Sequence, residues 1–85
     1  MPEIARFSGL VVAMFYRDHE PPHAHVRFAE YEATVRIEDG VVVGKLPSWA
    51  RERVREWCAS HRQELRDNWT RARMHGLLLR IGPVE

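Results

Sequence analysis

Several protein classes are excluded by what this chain lacks. It has one cysteine, Cys58, so no internal disulfide framework can form and a reducing compartment is expected. No apolar run approaches the roughly 18 residues that cross a bilayer, so no membrane partner is expected. Residues 1–7 lack the basic-then-apolar layout of a secretory leader, and a cytoplasmic location is the expectation. There is no Gly-rich phosphate loop, no paired-cysteine metal motif and no Ser/His/Asp nucleophile elbow. Repeats, low-complexity tracts and linkers are missing too. The 85 residues therefore read as a single domain, 1–85, near the size at which one core just suffices.

What is present is ordinary in bulk and uneven in detail. Hydrophobic residues make up 45% and charged residues 29%, as in soluble globular proteins. The net charge of +1 is unequally divided: residues 1–45 carry five basic against seven acidic side chains, and residues 46–85 carry eight against five. Basic residues are twelve arginines and one lysine. Arginine makes bidentate phosphate contacts that lysine cannot, which suits a nucleic-acid binder, although a coding bias gives the same count.

The first half alternates as strands do. Residues 4–7 suit a short edge strand, and the continuous apolar run 10–16 suits a strand buried on both faces. Ala24, Val26 and Phe28 alternate with His25 and Arg27; Tyr31, Ala33, Val35 and Ile37 alternate with polar partners. Ala29-Glu30 is then a tight hairpin connection without favoured turn formers, whereas Asp39-Gly40 is a strong turn signal before a strand over 41–43. From Leu46 the period changes. Ser48 is a candidate N-cap, and Ala50, Val54, Trp57, Cys58, His61, Leu65, Asn68, Trp69 and Ala72 share one helical face. The spacing predicts one unbroken helix over 48–74, stopped by Gly76, with a final strand over 77–81. The expected fold is α+β: a small, mostly antiparallel sheet of four to six strands over about 3–45, with one long helix on one face. At about 1.5 Å per residue that helix would overhang the sheet, which allows a homodimer.

Three of the five histidines fall in the stretch DHEPPHAHV, residues 18–26. His23 and His25 lie two apart, so an extended segment puts both on one face, near enough to share a metal ion. Asp18 and His19 are further ligand candidates, and Pro21-Pro22 stiffens the approach. Against a metal, Ala24 and Val26 must face the core, so the imidazoles point the other way, and two histidines alone do not hold an ion. Three readings stay open: imidazoles bonded to backbone or carboxylates, a contact surface for nucleic acid or a partner, and a metal site. His61 sits on the apolar helical stripe with Asn68, and both must be hydrogen-bonded there. His61 is either a core histidine bonded to a carbonyl or part of a site that meets the loop histidines, with Glu64 one turn on. Arg55, Arg62, Arg66 and Arg73 form a stripe along one helix flank, either a phosphate track or a solvated face. Cys58 lies within the apolar stripe and reads as an inert thiol.

The segments MPEIARFSGLVV, DHEPPHAHV, EYEATVRI, GKLP and EW…HRQEL…NWTRARMHG together resemble a small bacterial family, domain of unknown function 4160. The matching positions are Asp18, His19, Pro21, Pro22, His23, His25, His61, Glu64, Asn68 and Trp69; the resemblance does not place the tail past Gly76. The resemblance implies no activity. It does imply small stand-alone proteins encoded beside a second small domain, as in toxin–antitoxin-like pairs. The leading expectation is therefore a component that binds the small protein encoded by the neighbouring gene, with RNA as a second candidate partner. A metal-independent ribonuclease would use His19, His23, His25 and His61 as general acid and base, with Asp18, Arg27, Arg55, Arg62, Arg66 and Arg73 for binding and no cofactor. The alternatives are a metal-dependent hydrolase or metal-binding domain using the same loop, and a purely structural interaction domain.

Overall fold

The computed structural model describes residues 2–82. Five strands run β1 (Glu3–Phe7), β2 (Leu10–Ala13), β3 (His23–Phe28), β4 (Tyr31–Arg36) and β5 (Val42–Gly44). They form one antiparallel sheet in chain order, β1-β2-β3-β4-β5. Short connections make this meander the simplest topology. Ser8 and Gly9 both take positive φ, 52° and 78°, as a two-residue hairpin turn demands. Ala29 takes φ 52° without being glycine, so the tight β3–β4 connection forms despite its poor turn chemistry. Gly40 adopts φ 73°, and the Asp39 carboxylate accepts the Val41 N–H at 3.1 Å. The predicted Asp-Gly turn is there. The run 10–16 is only partly strand: β2 ends at Ala13, opposite Glu3, Met14 N–H still donates to the Pro2 carbonyl, and the chain then leaves the sheet.

Alternation sorts the two faces. Ala5, Phe7, Leu10, Val12, Ala24, Val26, Ala33 and Val35 are buried, and the residues between them point outward. Two helices, α1 (Ser48–Ser60) and α2 (Arg62–Arg73), complete the core with Ala50, Val54, Trp57, Cys58, Leu65, Trp69 and Ala72. Each fully buried aliphatic side chain contributes about 1.5–3 kcal/mol of transfer free energy.

The single helix predicted over 48–74 is bent in two at His61, whose φ and ψ are −120° and 27°. The ladder continues through the bend, with His61 N–H on the Trp57 carbonyl and Leu65 N–H on the His61 carbonyl, both at 3.0 Å. A straight helix of that length would be about 40 Å long, whereas the molecule's longest extent is 34 Å. Bending lets both halves pack on the sheet. Both are tied to the end of β4: the Cys58 thiol lies 3.6 Å and Arg62 Nε 2.6 Å from the Ile37 carbonyl. The overhang that suggested a second subunit is thereby removed. Ser48 is the first helical residue rather than the cap; Pro47 holds that place, its carbonyl accepting from Arg51 N–H at 3.0 Å.

The helix stop also falls one residue from its expected place. His75 takes the left-handed conformation, φ 57°, and Gly76 follows it. Gly76 N–H reaches the Arg71 carbonyl at 2.7 Å and His75 N–H the Ala72 carbonyl at 3.1 Å, the paired bonds of a Schellman motif. The expected strand over 77–81 is not formed. Leu77 and Leu79 are exposed, and Ile81 alone is buried, its N–H donating to the Ile4 carbonyl at 2.8 Å. Buried Asn68 holds this segment as a strand partner would. Its Nδ2 donates to the Leu79 carbonyl at 2.8 Å, and its Oδ1 accepts the Leu79 N–H at 3.0 Å.

Candidate functional site

The β2–β3 connection, residues 14–22, folds over the end of the sheet and is fastened to α2. Trp69 Nε1 donates to Glu20 Oε2 at 3.2 Å, and Arg73 donates to the Asp18 carbonyl at 3.2 Å. The Arg73 guanidinium also lies 3.8 Å from the Glu20 carboxylate and 5.9 Å from the Trp69 ring. At the loop's far end the Pro22 carbonyl accepts the Ile37 N–H at 3.1 Å, and the Glu20–Pro21 peptide is cis.

This fastening brings one carboxylate between two imidazoles. Asp18 Oδ2 accepts from His25 Nε2 at 2.8 Å and lies 3.3 Å from His23 Nε2. Both rings rise from the face opposite Ala24 and Val26, as strand parity predicts, and pair across the sheet with Arg36 and Thr34. The three side chains are 24% (Asp18), 17% (His23) and 36% (His25) exposed, so water reaches all of them. Aromatic rings flank the site: Phe15 meets His25 edge-on at 4.5 Å, and Trp69 lies 5.4 Å from His23. His23 Nδ1 donates to the Pro21 carbonyl at 2.8 Å, which fixes the ring's rotation. Helical periodicity assigns Trp69 to the core. That its indole also reaches round the strand end to His23 depends on where α2 turns.

The other two candidate histidines lie apart from this cluster. His19 is exposed, its Nδ1 on the Glu20 carbonyl at 3.1 Å. His61 Nδ1 pairs with Glu64 Oε1 at 2.6 Å, one turn along, and its ring lies 5.7 Å from that of Trp57. His61 is thus satisfied by its own helical neighbour rather than by a carbonyl or the loop. Among the described residues, the group whose ligand atoms all approach within 4.8 Å of one another is Asp18, His23 and His25.

The arginine stripe is largely spoken for. Arg66 forms a two-pronged pair with Glu38 at 2.8 and 2.6 Å, and its hydrogen bonds hold that carboxyl below its usual range. Arg62 is bonded to the Ile37 carbonyl and Arg73 to the loop, while Arg55 is exposed. Arg27 is exposed on the outer sheet face, paired in register with Glu32. Burial pushes the Cys58 thiol up, as expected of an inert core cysteine.

The model of a known family, Domain of unknown function (DUF4160), matches residues 9–70. The chain belongs to that family. The matched stretch runs from the β1–β2 turn to the middle of α2, so it takes in the whole histidine loop and Trp69 but leaves out Arg73 and the segment clamped by Asn68. Comparison with curated proteins and with solved structures finds no match to the chain. No helix among the described residues is long and apolar enough to cross a membrane.

Proposed function

We propose that the chain is the recognition component of a two-gene module and binds the small protein encoded by the neighbouring gene through the outer face of its sheet. One observation carries this reading: the helices cover a single face of the five strands, and the other face presents a loop already fastened in place by Trp69 and Arg73. A contact surface ordered before binding loses less entropy on binding. Beside the loop lies a depression of about 190 Å³ lined by Pro21, His23, Thr34, Arg36, Val41 and Val43. Val41 and Val43, 41% and 64% exposed, add apolar side chains to the polar groups of this depression. The family's suggested two-gene arrangement supplies the partner.

The finer alternatives draw less support from the geometry. A phosphate track needs free guanidinium groups, and Arg62, Arg66 and Arg73 are bonded within the chain. Metal-free acid–base cleavage by four histidines needs them to converge on one substrate, and His19 and His61 are bonded elsewhere, to the Glu20 carbonyl and to Glu64, apart from His23 and His25.

Co-expression of the chain with the neighbouring gene product tests the proposal. A complex that survives size-exclusion chromatography and is lost in a folded Val43→Glu variant is the expected result. Separate elution of the two wild-type proteins would remove the reading.

A further inference from the structure

The three side chains at the centre of the loop present a difficulty that a cation would resolve. The Pro21 carbonyl can only accept, so its 2.8 Å bond requires the proton of a neutral His23 to sit on Nδ1. Nε2 of that ring then carries a bare lone pair, and it faces the Asp18 carboxylate oxygen at 3.3 Å. Two acceptors this close, in a site only about one-fifth exposed, repel one another unless a positive charge lies between them. His25 Nε2 points at the same oxygen from 2.8 Å. Two nitrogens and a carboxylate oxygen therefore converge on one point.

We propose that Asp18 Oδ2, His23 Nε2 and His25 Nε2 bind one divalent transition-metal ion of the zinc class. Four lines of geometry support the assignment. First, around a tetrahedral ion with bonds of about 2.0–2.1 Å, ligand atoms sit roughly 3.3 Å apart; the His23–Asp18 separation is 3.3 Å already, the 2.8 Å His25–Asp18 contact has only to open by about half an ångström, and all three atoms lie within 4.8 Å of one another. Second, the Pro21 carbonyl holds the His23 ring in the tautomer and rotation that present Nε2, the role that outer-shell carbonyls play around metal-bound imidazoles. Third, the backbone that carries Asp18 is itself held, its carbonyl accepting from Arg73, so the carboxylate does not have to be ordered when the ion arrives. Fourth, two imidazoles with one carboxylate form a borderline donor set. It favours zinc, cobalt, nickel or ferrous iron over magnesium and calcium, which seek oxygen.

On binding, His25 gives up its Nε2 proton and, as a neutral ligand, carries it on Nδ1. His23 already carries its proton on Nδ1 and keeps that tautomer. Three protein ligands leave the ion one position open toward solvent, where water or a donor from a bound partner completes the shell. His19 and His61, bonded to the Glu20 carbonyl and to Glu64, take no part. The site stands independently of the partner proposal and would survive its failure.

The test is calorimetric titration of the chelator-stripped, full-length chain with zinc chloride and, separately, cobalt chloride. Saturation at one ion per chain is expected, with the visible absorption of cobalt in a low-coordinate nitrogen and oxygen site. His23→Ala, His25→Ala and Asp18→Asn should each weaken zinc binding at least about 100-fold, while His19→Ala and His61→Ala leave it within about twofold. Asp18→Asn keeps the shape of the loop, so it remains informative if an alanine variant misfolds; circular dichroism verifies each fold. Magnesium chloride should give no heat. Failure of the wild-type chain to bind zinc or cobalt stoichiometrically, or undiminished binding by folded Asp18→Asn, would overturn the assignment and leave a proton as the charge between the rings.

Discussion

Replacing Asn68 should cost far more than its single side chain suggests. It is 1% exposed on an otherwise apolar helical stripe, and every one of its hydrogen bonds stays within the chain. Nδ2 donates to the Leu79 carbonyl at 2.8 Å, and Oδ1 accepts from Leu79 N–H and Arg71 Nη1, both at 3.0 Å. At about 0.5–1.5 kcal/mol net for each bond, Asn68→Ala should destabilise the fold by about 2–4 kcal/mol. Loss of the clamp would also release the segment that delivers buried Ile81 and its bond to Ile4. Urea denaturation followed by circular dichroism at pH 7 measures this as a fall in midpoint at unchanged slope. Asn68→Asp provides a sharper check. The new carboxylate can accept from Leu79 N–H and Arg71 but sets a lone pair against the Leu79 carbonyl, so that variant should be weak at pH 7. Relative to the native chain it should recover near pH 3, where protonation restores a donor. A loss below about 1 kcal/mol for Asn68→Ala, or a pH-independent defect for Asn68→Asp, would refute the clamp.

Other consequences are open to measurement. His75 adopts φ 57° with its side chain exposed, so His75→Gly should raise the urea midpoint, by about 1 kcal/mol of stability; an unchanged or lower midpoint would count against the Schellman ending. Gly44 has φ 122°, and a Cβ there would stand 2.7 Å from Ala33 Cα and the Glu32 carbonyl oxygen. Gly44→Ala should therefore cost about 1–3 kcal/mol and loosen β5, read as faster amide exchange at Val42 and Val43. Cys58 is fully buried, so a disulfide reagent should label it only at the rate of opening; immediate labelling of folded protein would contradict its placement. Hydrogen bonds from Arg6 and then Arg80 lower the Glu3 carboxyl to about 2, and Arg36 with the Val41 N–H does the same for Asp39. Both values are depressed, so their stabilising effect is complete above the ordinary carboxylate range near pH 4 and is lost as pH falls toward 2. Midpoints measured from pH 5 to pH 2 should fall less steeply in Glu3→Gln plus Asp39→Asn than in the native chain, and equal slopes would reject this account.

Much of the architecture follows from local rules that operate within a few residues. Alternation at Ala24, Val26, Ala33 and Val35 determines which face of β3 and β4 is buried, because a strand must place successive side chains on opposite sides. The same parity puts His23 and His25 together on the other face, where the structure has them. The stripe from Ala50 to Ala72 likewise selects the helical face that meets the sheet. Periodicity is blind to length against the whole, however. The bend at His61 follows from fitting 25 helical residues on a molecule 34 Å long, which no window of sequence contains.

The loop divides in the same way. The composition of DHEPPHAHV specifies that imidazoles and a carboxylate lie close in the chain, and strand spacing pairs two of the rings. Their convergence on one oxygen is a tertiary matter. It requires Asp18 to be turned back over the strand end, held from 55 residues away by Arg73, with Trp69 from the same helix against His23. The arginine stripe shows the converse: helical spacing lines up Arg55, Arg62, Arg66 and Arg73, but Glu38, the Ile37 carbonyl and the loop, all brought near by the fold, engage three of them. Spacing along the chain therefore determined which groups share a face, since backbone geometry repeats every two or 3.6 residues. Only the packing of α2 across the sheet decided which of those groups meet, since contacts between distant segments depend on where whole elements come to rest.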